Sequence, residues 1–180
     1  MKYLTLMLVV ASVAVLATGC SKRKPESKSD SWRKYTVSQG GYSFEYPPTW
    51  SVEAIPDANG LLVMCPTVEA DWQANVFFEL RSDPGNRPVG KMLEDLIPNL
   101  KKEKTGFVLV SLTVMKHPSG LEAGRIDYTH SSDATGLNDS ETVIVLEENK
   151  LLFVLTSTAS SVKHKYAPTL LKIVDSIRKQ

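Results

Sequence analysis

The chain has 180 residues, 42% of them apolar and 23% charged, enough for one globular domain with appendages and a buried core. Its 21 Lys and Arg stand against 20 Asp and Glu. Removing a leader that ends at Gly19 takes Lys2 alone among the charged residues and leaves a formally neutral chain. Such a balance offers no basic footprint to phosphates and excludes nucleic acid as the expected partner.

The chain opens with Lys2, an apolar stretch from Leu4 to Leu16, and the small residues Ala17, Thr18 and Gly19 directly before Cys20. This is the anatomy of a secretory signal. The apolar run falls short of the ~20 residues a membrane-spanning helix needs. "ATGC" resembles the lipobox of bacterial lipoproteins, with Ala17 where leucine is commoner. The resemblance implies that residues 1–19 are a signal peptide that is removed, and that Cys20 becomes a lipidated N-terminus carrying palmitate or a related acyl chain. An ordinary signal cut near Gly19 would instead leave Cys20 an incidental thiol. Several acyl chains make membrane attachment effectively permanent. Residues 20–34 lack large apolar side chains up to Trp32 and are expected to form a disordered polar leash. Lys22, Arg23, Lys24 and Lys28 could touch anionic head groups, but Glu26 and Asp30 dilute that charge and favour a solvated spacer. The expected location is the bacterial cell envelope. Ser21 after the cysteine points, by analogy with enteric sorting, to the periplasmic face of the outer membrane in a Gram-negative cell.

From Tyr35 onward the pattern is mostly strand-like. "YSFEY" alternates Tyr42, Phe44 and Tyr46 on one face, a Pro pair ends it, and Trp50 follows as a core anchor. "LLVMC", "NVFFELR", "FVLVSLTVMK", "GRIDYTH", "ETVIVLEE" and "KLLFVLTSTA" are further β-branched and aromatic runs. The short polar "EENK" makes Glu141–Ser157 an antiparallel hairpin. Cys65 has no partner once Cys20 is lipidated, and its apolar neighbours mark a buried, inert thiol. Met92, Leu93, Leu96, Ile97 and Leu100 recur at helical spacing, with Pro98 expected to kink the helix or start a new turn. A terminal helix carries Tyr166, Leu170, Ile173, Val174 and Ile177 on one face, with Pro168 marking its first full turn after an irregular lead-in from Ser161. The expected class is α+β, an antiparallel β-sheet flanked by α-helices.

Three stretches together resemble the PsbP-like superfamily, which includes DcrB-like bacterial lipoproteins. They are "YSFEYPPTW", "GLEAGRIDYTH" and the ending "KLLFVLTSTASSVKHKYAPTLLKIVDSIR", with Phe153, Leu155, Thr156, Thr158, Ala159, Tyr166 and Ser176 at its pattern positions. The resemblance implies a PsbP-like domain over residues 35–180, an α/β/α sandwich. It also implies a non-enzymatic role, because family members act mostly as photosystem II assembly factors, envelope lipoproteins, and adaptors or chaperones. The family has no shared catalytic motif to carry over.

The residues themselves offer little catalytic chemistry. "HPSG" at His117 lacks the strained frame of a serine nucleophile. His117, His130 and His164 show no i, i+4 zinc spacing and read as surface or turn histidines. "HSSDATGLNDSE" places His130, Asp133, Asn138, Asp139 and Glu141 on one expected loop, yet its spacing is not that of a calcium loop, and a solvated hairpin loop is the reading adopted. Asp83 in "SDPGNRP" reads as a turn residue. No catalytic residue, metal or cofactor is therefore expected. The expected function is that of a membrane-anchored envelope lipoprotein, attached through Cys20, whose binding domain is an accessory or assembly module for another protein or a small ligand. The alternative is a chaperone or adaptor for secreted or membrane clients. That alternative requires an exposed apolar groove on the sheet or beneath the Met92 helix.

Overall fold

The computed structural model describes residues 31–180 apart from Pro84 and Ala134, so Cys20, the leader and most of the leash lie outside the described residues. Strands β1 (Arg33–Val37) and β2 (Tyr42–Tyr46) form a hairpin, and the short β10 (Arg178–Lys179) pairs with β2 from the other side. The main sheet contains β3 (Ser51–Ile55), β4 (Gly60–Glu69), β5 (Trp72–Ser82), β6 (Val108–Lys116), β7 (Glu122–Ser132), β8 (Thr135–Glu147) and β9 (Lys150–Ala159). Its order is β3-β4-β5-β9-β8-β7-β6, antiparallel throughout. Helix α1 (Val89–Glu103) carries the chain from β5 across one face to the far edge at β6. Helix α2 (Lys163–Asp175) follows β9 through a single 3-10 turn at Ser160–Val162. The α+β architecture with an antiparallel sheet flanked by helices is the one expected. The β8–β9 hairpin also forms as expected, with Glu141 opposite Leu155, although β8 begins well before Glu141.

Strand alternation sends side chains to two separate cores. On one face Val63, Val76, Phe78 and Val154 pack under α2 and the small sheet. There Phe44 stacks on Phe78 with ring centroids 4.3 Å apart, and Trp50 is buried beside them. On the other face Val89, Met92, Leu93 and Leu100 of α1 cover Ile126, Tyr128 and Val143. Gly124 makes that second contact feasible. A Cβ there would lie 2.6 Å from both Leu93 Cδ1 and Val89 Cγ1. The residue type is thus dictated by the close approach of helix to strand.

Pro98 lies inside α1, and Pro168 sits differently from expectation, within α2 rather than at its first turn, which begins at Lys163. Each proline deprives the carbonyl four residues earlier of its donor, at Glu94 and His164. All four residues are exposed, so water can serve those carbonyls and the helices continue. Cys65 is buried on β4, as its neighbours indicated.

Candidate functional site

The expected loop from His130 to Glu141 is instead two paired strands. Strand β7 runs to Ser132 and β8 resumes at Thr135, with Asp133 in left-handed conformation at the turn. Because successive residues point to opposite faces, the candidate ligands are divided. His130, Asp139 and Glu141 share the α1 side with Tyr128, whereas Asn138 and Ser140 occupy the α2 side. No cluster of three His, Cys, Asp or Glu residues placed to hold a metal exists among the described residues.

On the α1 side the polar groups satisfy one another. His130 Nε2 lies 2.8 Å from Asp139 Oδ2, and Ser157 Oγ donates to Asp139 Oδ1 at 2.7 Å. All three residues are buried. Tyr128 donates its hydroxyl to Glu141 Oε1 at 3.1 Å, and burial, reinforced by the Glu141 charge, pushes the phenol far above its ordinary pKa. Burial likewise holds the Glu141 carboxyl above its usual range, against the relief offered by Tyr128, Lys104 and Arg81. The chain of contacts runs serine, aspartate, histidine, so the Ser157 proton is committed to Asp139 rather than to an imidazole base. An activated nucleophile needs the histidine in the middle.

Two of the three histidines are buried rather than surface residues, although His117 does open the β6–β7 turn, its carbonyl accepting from the Gly120 amide at 2.7 Å. His117 is 2% exposed and His130 7%. His117 Nε2 lies 2.9 Å from the carbonyl of Val174, which can only accept, so this nitrogen carries the proton. Its Nδ1 accepts from the Ser119 amide at 3.1 Å. Burial depresses the pKa of this ring and keeps it neutral, pinning the β6–β7 turn to the end of α2. His164 is exposed on α2. Asp83 is a turn residue as expected, accepting from the amides of Gly85 and Arg87 and from the Arg87 guanidinium.

The α2 side is organised differently. Between α2 and strands β7, β8 and β9 lies a cleft of about 240 Å³. Its helix wall is apolar, formed by Ala167, Leu170, Leu171 and Val174. Its floor is polar, with Arg125, Asp127, Ser140, Thr142, Thr156 and Thr158. Asp127 accepts from Ser111 Oγ at 2.6 Å, Ser140 Oγ at 2.5 Å and Arg125 Nε at 3.2 Å. Burial alone would raise its pKa, but these three donors outweigh burial and hold the carboxyl below its usual range. Thr158 has no such partner. It is 3% exposed and its hydroxyl makes no hydrogen bond; among the described residues only the buried indole N–H of Trp72 shares that state.

The fold has counterparts among solved structures. The solution structure of cyanobacterial PsbP (CyanoP) from Synechocystis sp. PCC 6803 matches with a TM-score of 0.64 at 16% identity, covering 91% of this chain and 98% of that one. The chain has a PsbP-like fold. The crystal structure of LpqN, a Mycobacterium tuberculosis protein involved in cell envelope biogenesis, matches with a TM-score of 0.56 at 12% identity, over 81% of this chain and 90% of that one. The Saccharomyces cerevisiae Ran-binding protein Mog1p matches with a TM-score of 0.58 at 8% identity, over 84% and 96%. No family model matches the chain, and no curated protein sequence matches it significantly.

Within the PsbP-like domain, the residues of the C-terminal pattern have distinct duties. Thr156 and Thr158 floor the cleft. Tyr166 donates to Glu69 Oε1 at 2.8 Å, and Ser176 closes α2 by donating to the Ile173 carbonyl at 2.6 Å. Reading the sequence did not find the cleft, because its walls come from three strands and a helix. The available signal was local: "NDSET" and "LTSTA" place hydroxyls on the strand positions that should bury apolar side chains under a helix.

Proposed function

We propose that this chain is a membrane-anchored bacterial envelope lipoprotein, held through lipid on Cys20, whose PsbP-like domain is a non-enzymatic accessory or assembly module that binds another protein or a small ligand. The observation that carries the binding role is the cleft beneath α2, which joins an apolar wall to a polar floor. The non-enzymatic reading is supported by Ser157, whose hydroxyl is spent on Asp139 in a buried network. LpqN, involved in envelope biogenesis, and Mog1p, a Ran-binding protein, supply precedents for this fold in accessory and binding roles. The periplasmic face of the outer membrane is the proposed location in a Gram-negative cell.

The anchor, the partner and the absence of turnover are each open to test. Cys20→Ser should release the protein from membranes or leave its precursor uncut, and mass spectrometry of the wild-type N-terminal peptide should find acylated Cys20. An unlipidated wild type with unchanged processing overturns the anchor. Crosslinking in the native membrane should then capture a partner that is lost when the domain surface is altered and kept when the leash is shortened. Turnover in an activity screen that one cleft substitution abolishes would overturn the non-enzymatic role.

One observation favours the chaperone or adaptor alternative. Strand β6 forms an edge of the main sheet and exposes Val108, Leu109, Val110, Leu112 and Val114. An extended apolar client segment could add to this edge as a further strand. Val108→Lys combined with Leu112→Lys would block such pairing, since edge charges oppose strand addition. Unchanged client capture by that variant removes the alternative.

A further inference from the structure

We propose that the cleft between α2 and the main sheet binds a small amphiphilic carboxylic acid, its carboxylate held by Arg125 and Lys163 and its aliphatic body laid against Leu170, Leu171 and Val174. The proposal deepens the binding-module reading and rests on it.

The first argument is a contrast within one face of the sheet. Under the rest of α2 and the small sheet, the strands supply Val63, Val76, Phe78 and Val154, which belong to one continuous apolar core; a second hollow beside α2, of about 430 Å³, is lined by Trp32, Pro47, Trp50 and Tyr166 and does not reach this floor. In the cleft, the same face presents Arg125, Asp127 and four hydroxyl-bearing residues to an apolar helix. A helix face of leucine and valine gains nothing from a polar floor. A molecule with one apolar side and one polar end completes both surfaces at once. The volume lies below the roughly 300–1,000 Å³ typical of drug-sized ligands, which limits the occupant to a short-chain molecule.

The second argument is the orphan hydroxyl. Thr158 lines the cleft and is almost fully buried, yet its Oγ has no partner. Buried polar groups in folded proteins are nearly always bonded. A ligand oxygen, reached by a rotation of the threonine side chain, would supply the missing contact.

The third argument concerns charge. Arg125 directs Nε to Asp127, with which it forms an ion pair, and its two Nη atoms make no hydrogen bond among the described residues. Lys163, at the start of α2, likewise has none. Asp127 already accepts from two serines and Arg125, and the Asp139 carboxylate is taken by His130 and Ser157. Lys163 thus brings a charge with no counter-ion among the described residues, and the Nη edge of Arg125 keeps free donors beside its pairing with Asp127. The planar Nη edge of a guanidinium can grip a carboxylate through two parallel hydrogen bonds, and the Lys163 ammonium adds a further donor.

The entrance fits the same occupant. Val110 is the extra residue at a bulge in β6 and is 60% exposed, and Leu171 on α2 is 42% exposed; both line the cleft. Apolar lips at the mouth of a polar-floored cleft would meet the chain of an amphiphile as it enters.

The test uses the full chain in phospholipid nanodiscs, with empty nanodiscs as the blank, titrated with sodium octanoate and separately with octanol. Octanoate should give saturable heat, weakened at least about tenfold by Arg125→Gln through loss of the charged contact. Ala167→Trp, which fills the cleft from the helix side, should abolish it while circular dichroism stays native. Methyl NMR of the unsubstituted protein keeps the test independent of either variant: shifts should concentrate at Thr158, Ala167, Leu170 and Leu171. Octanol binding as tightly as octanoate, or shifts centred elsewhere, overturns the carboxylate site. Absent octanoate binding, with a membrane partner still captured by crosslinking, overturns the acid and leaves the protein-binding module standing. Failure of both measurements removes the binding reading itself.

Discussion

The two faces of the β7–β8 hairpin treat polar side chains in opposite ways. On the α1 side every polar partner of Asp139 and Tyr128 is another side chain of the sheet, and α1 and its apolar residues close the surface. On the α2 side, Asp127 is satisfied but Thr158 is not, and a cleft remains between helix and floor. The comparison teaches that buried polarity is not by itself a sign of function. A closed network positions strands; an open one with an unmet hydroxyl invites a ligand.

The comparison is broken most severely from the closed side. Asp139→Ala should leave the His130 ring and the Ser157 hydroxyl without their common acceptor in a buried site, costing about 3 kcal/mol in urea unfolding. A loss below about 1 kcal/mol would mean that the network is not the closed structural unit described. Gly124→Ala comes next. Its new methyl would meet Leu93 and Val89 at 2.6 Å, and overpacking of this kind costs about 1–3 kcal/mol. Because α1 must then lift from β7, the variant should loosen the α1 side while octanoate binding under α2 persists.

Much of this division was legible in the sequence, and the misreadings share a cause. Strands such as "NVFFELR" and "KLLFVLTSTA" announced themselves by alternation and β-branched content, and α2 by its apolar face. The His130–Glu141 stretch was read as a loop because Ser, Asp, Asn and Gly usually mark turns. Here those residues lie opposite one another across two strands, and their polar atoms are satisfied by pairing that composition does not reveal. The turn position of His117 is legible, but its burial is hidden in the same way. Its partner, the Val174 carbonyl, is 57 residues away and belongs to a helix that only the fold brings near. Pro168 illustrates the reverse case: the rule that places proline in the first turn loses its force where the residue deprived of a donor, His164, is exposed.

The open side is sharpened by a stabilising substitution. Thr158→Val keeps the shape of the side chain and removes a buried hydroxyl that has no partner in the free protein, so the free form should gain about 1 kcal/mol. Octanoate binding should weaken in the same variant. Stability and affinity then move in opposite directions, which a purely structural threonine would not do.

The smallest expected effect is a pH dependence, and it again separates the two kinds of polar site. His117 is buried neutral with its pKa depressed below the ordinary histidine value near 6.5, first by desolvation. The unfolded chain therefore binds this proton more readily than the folded one. As pH falls below about 6.5, the unfolded state gains protons first and stability declines, until the folded ring itself titrates. Above that window the contribution is complete and flat. Nearby Asp175 favours the charged ring and Arg178 opposes it, so the decline should be shallow. Chemical unfolding of the native protein and of His117→Gln across this window isolates the contribution of the ring: the native curve should fall more steeply toward acid, and parallel curves would show that burial does not hold the ring neutral. Octanoate affinity over the same window should not follow that decline, since His117 does not line the cleft.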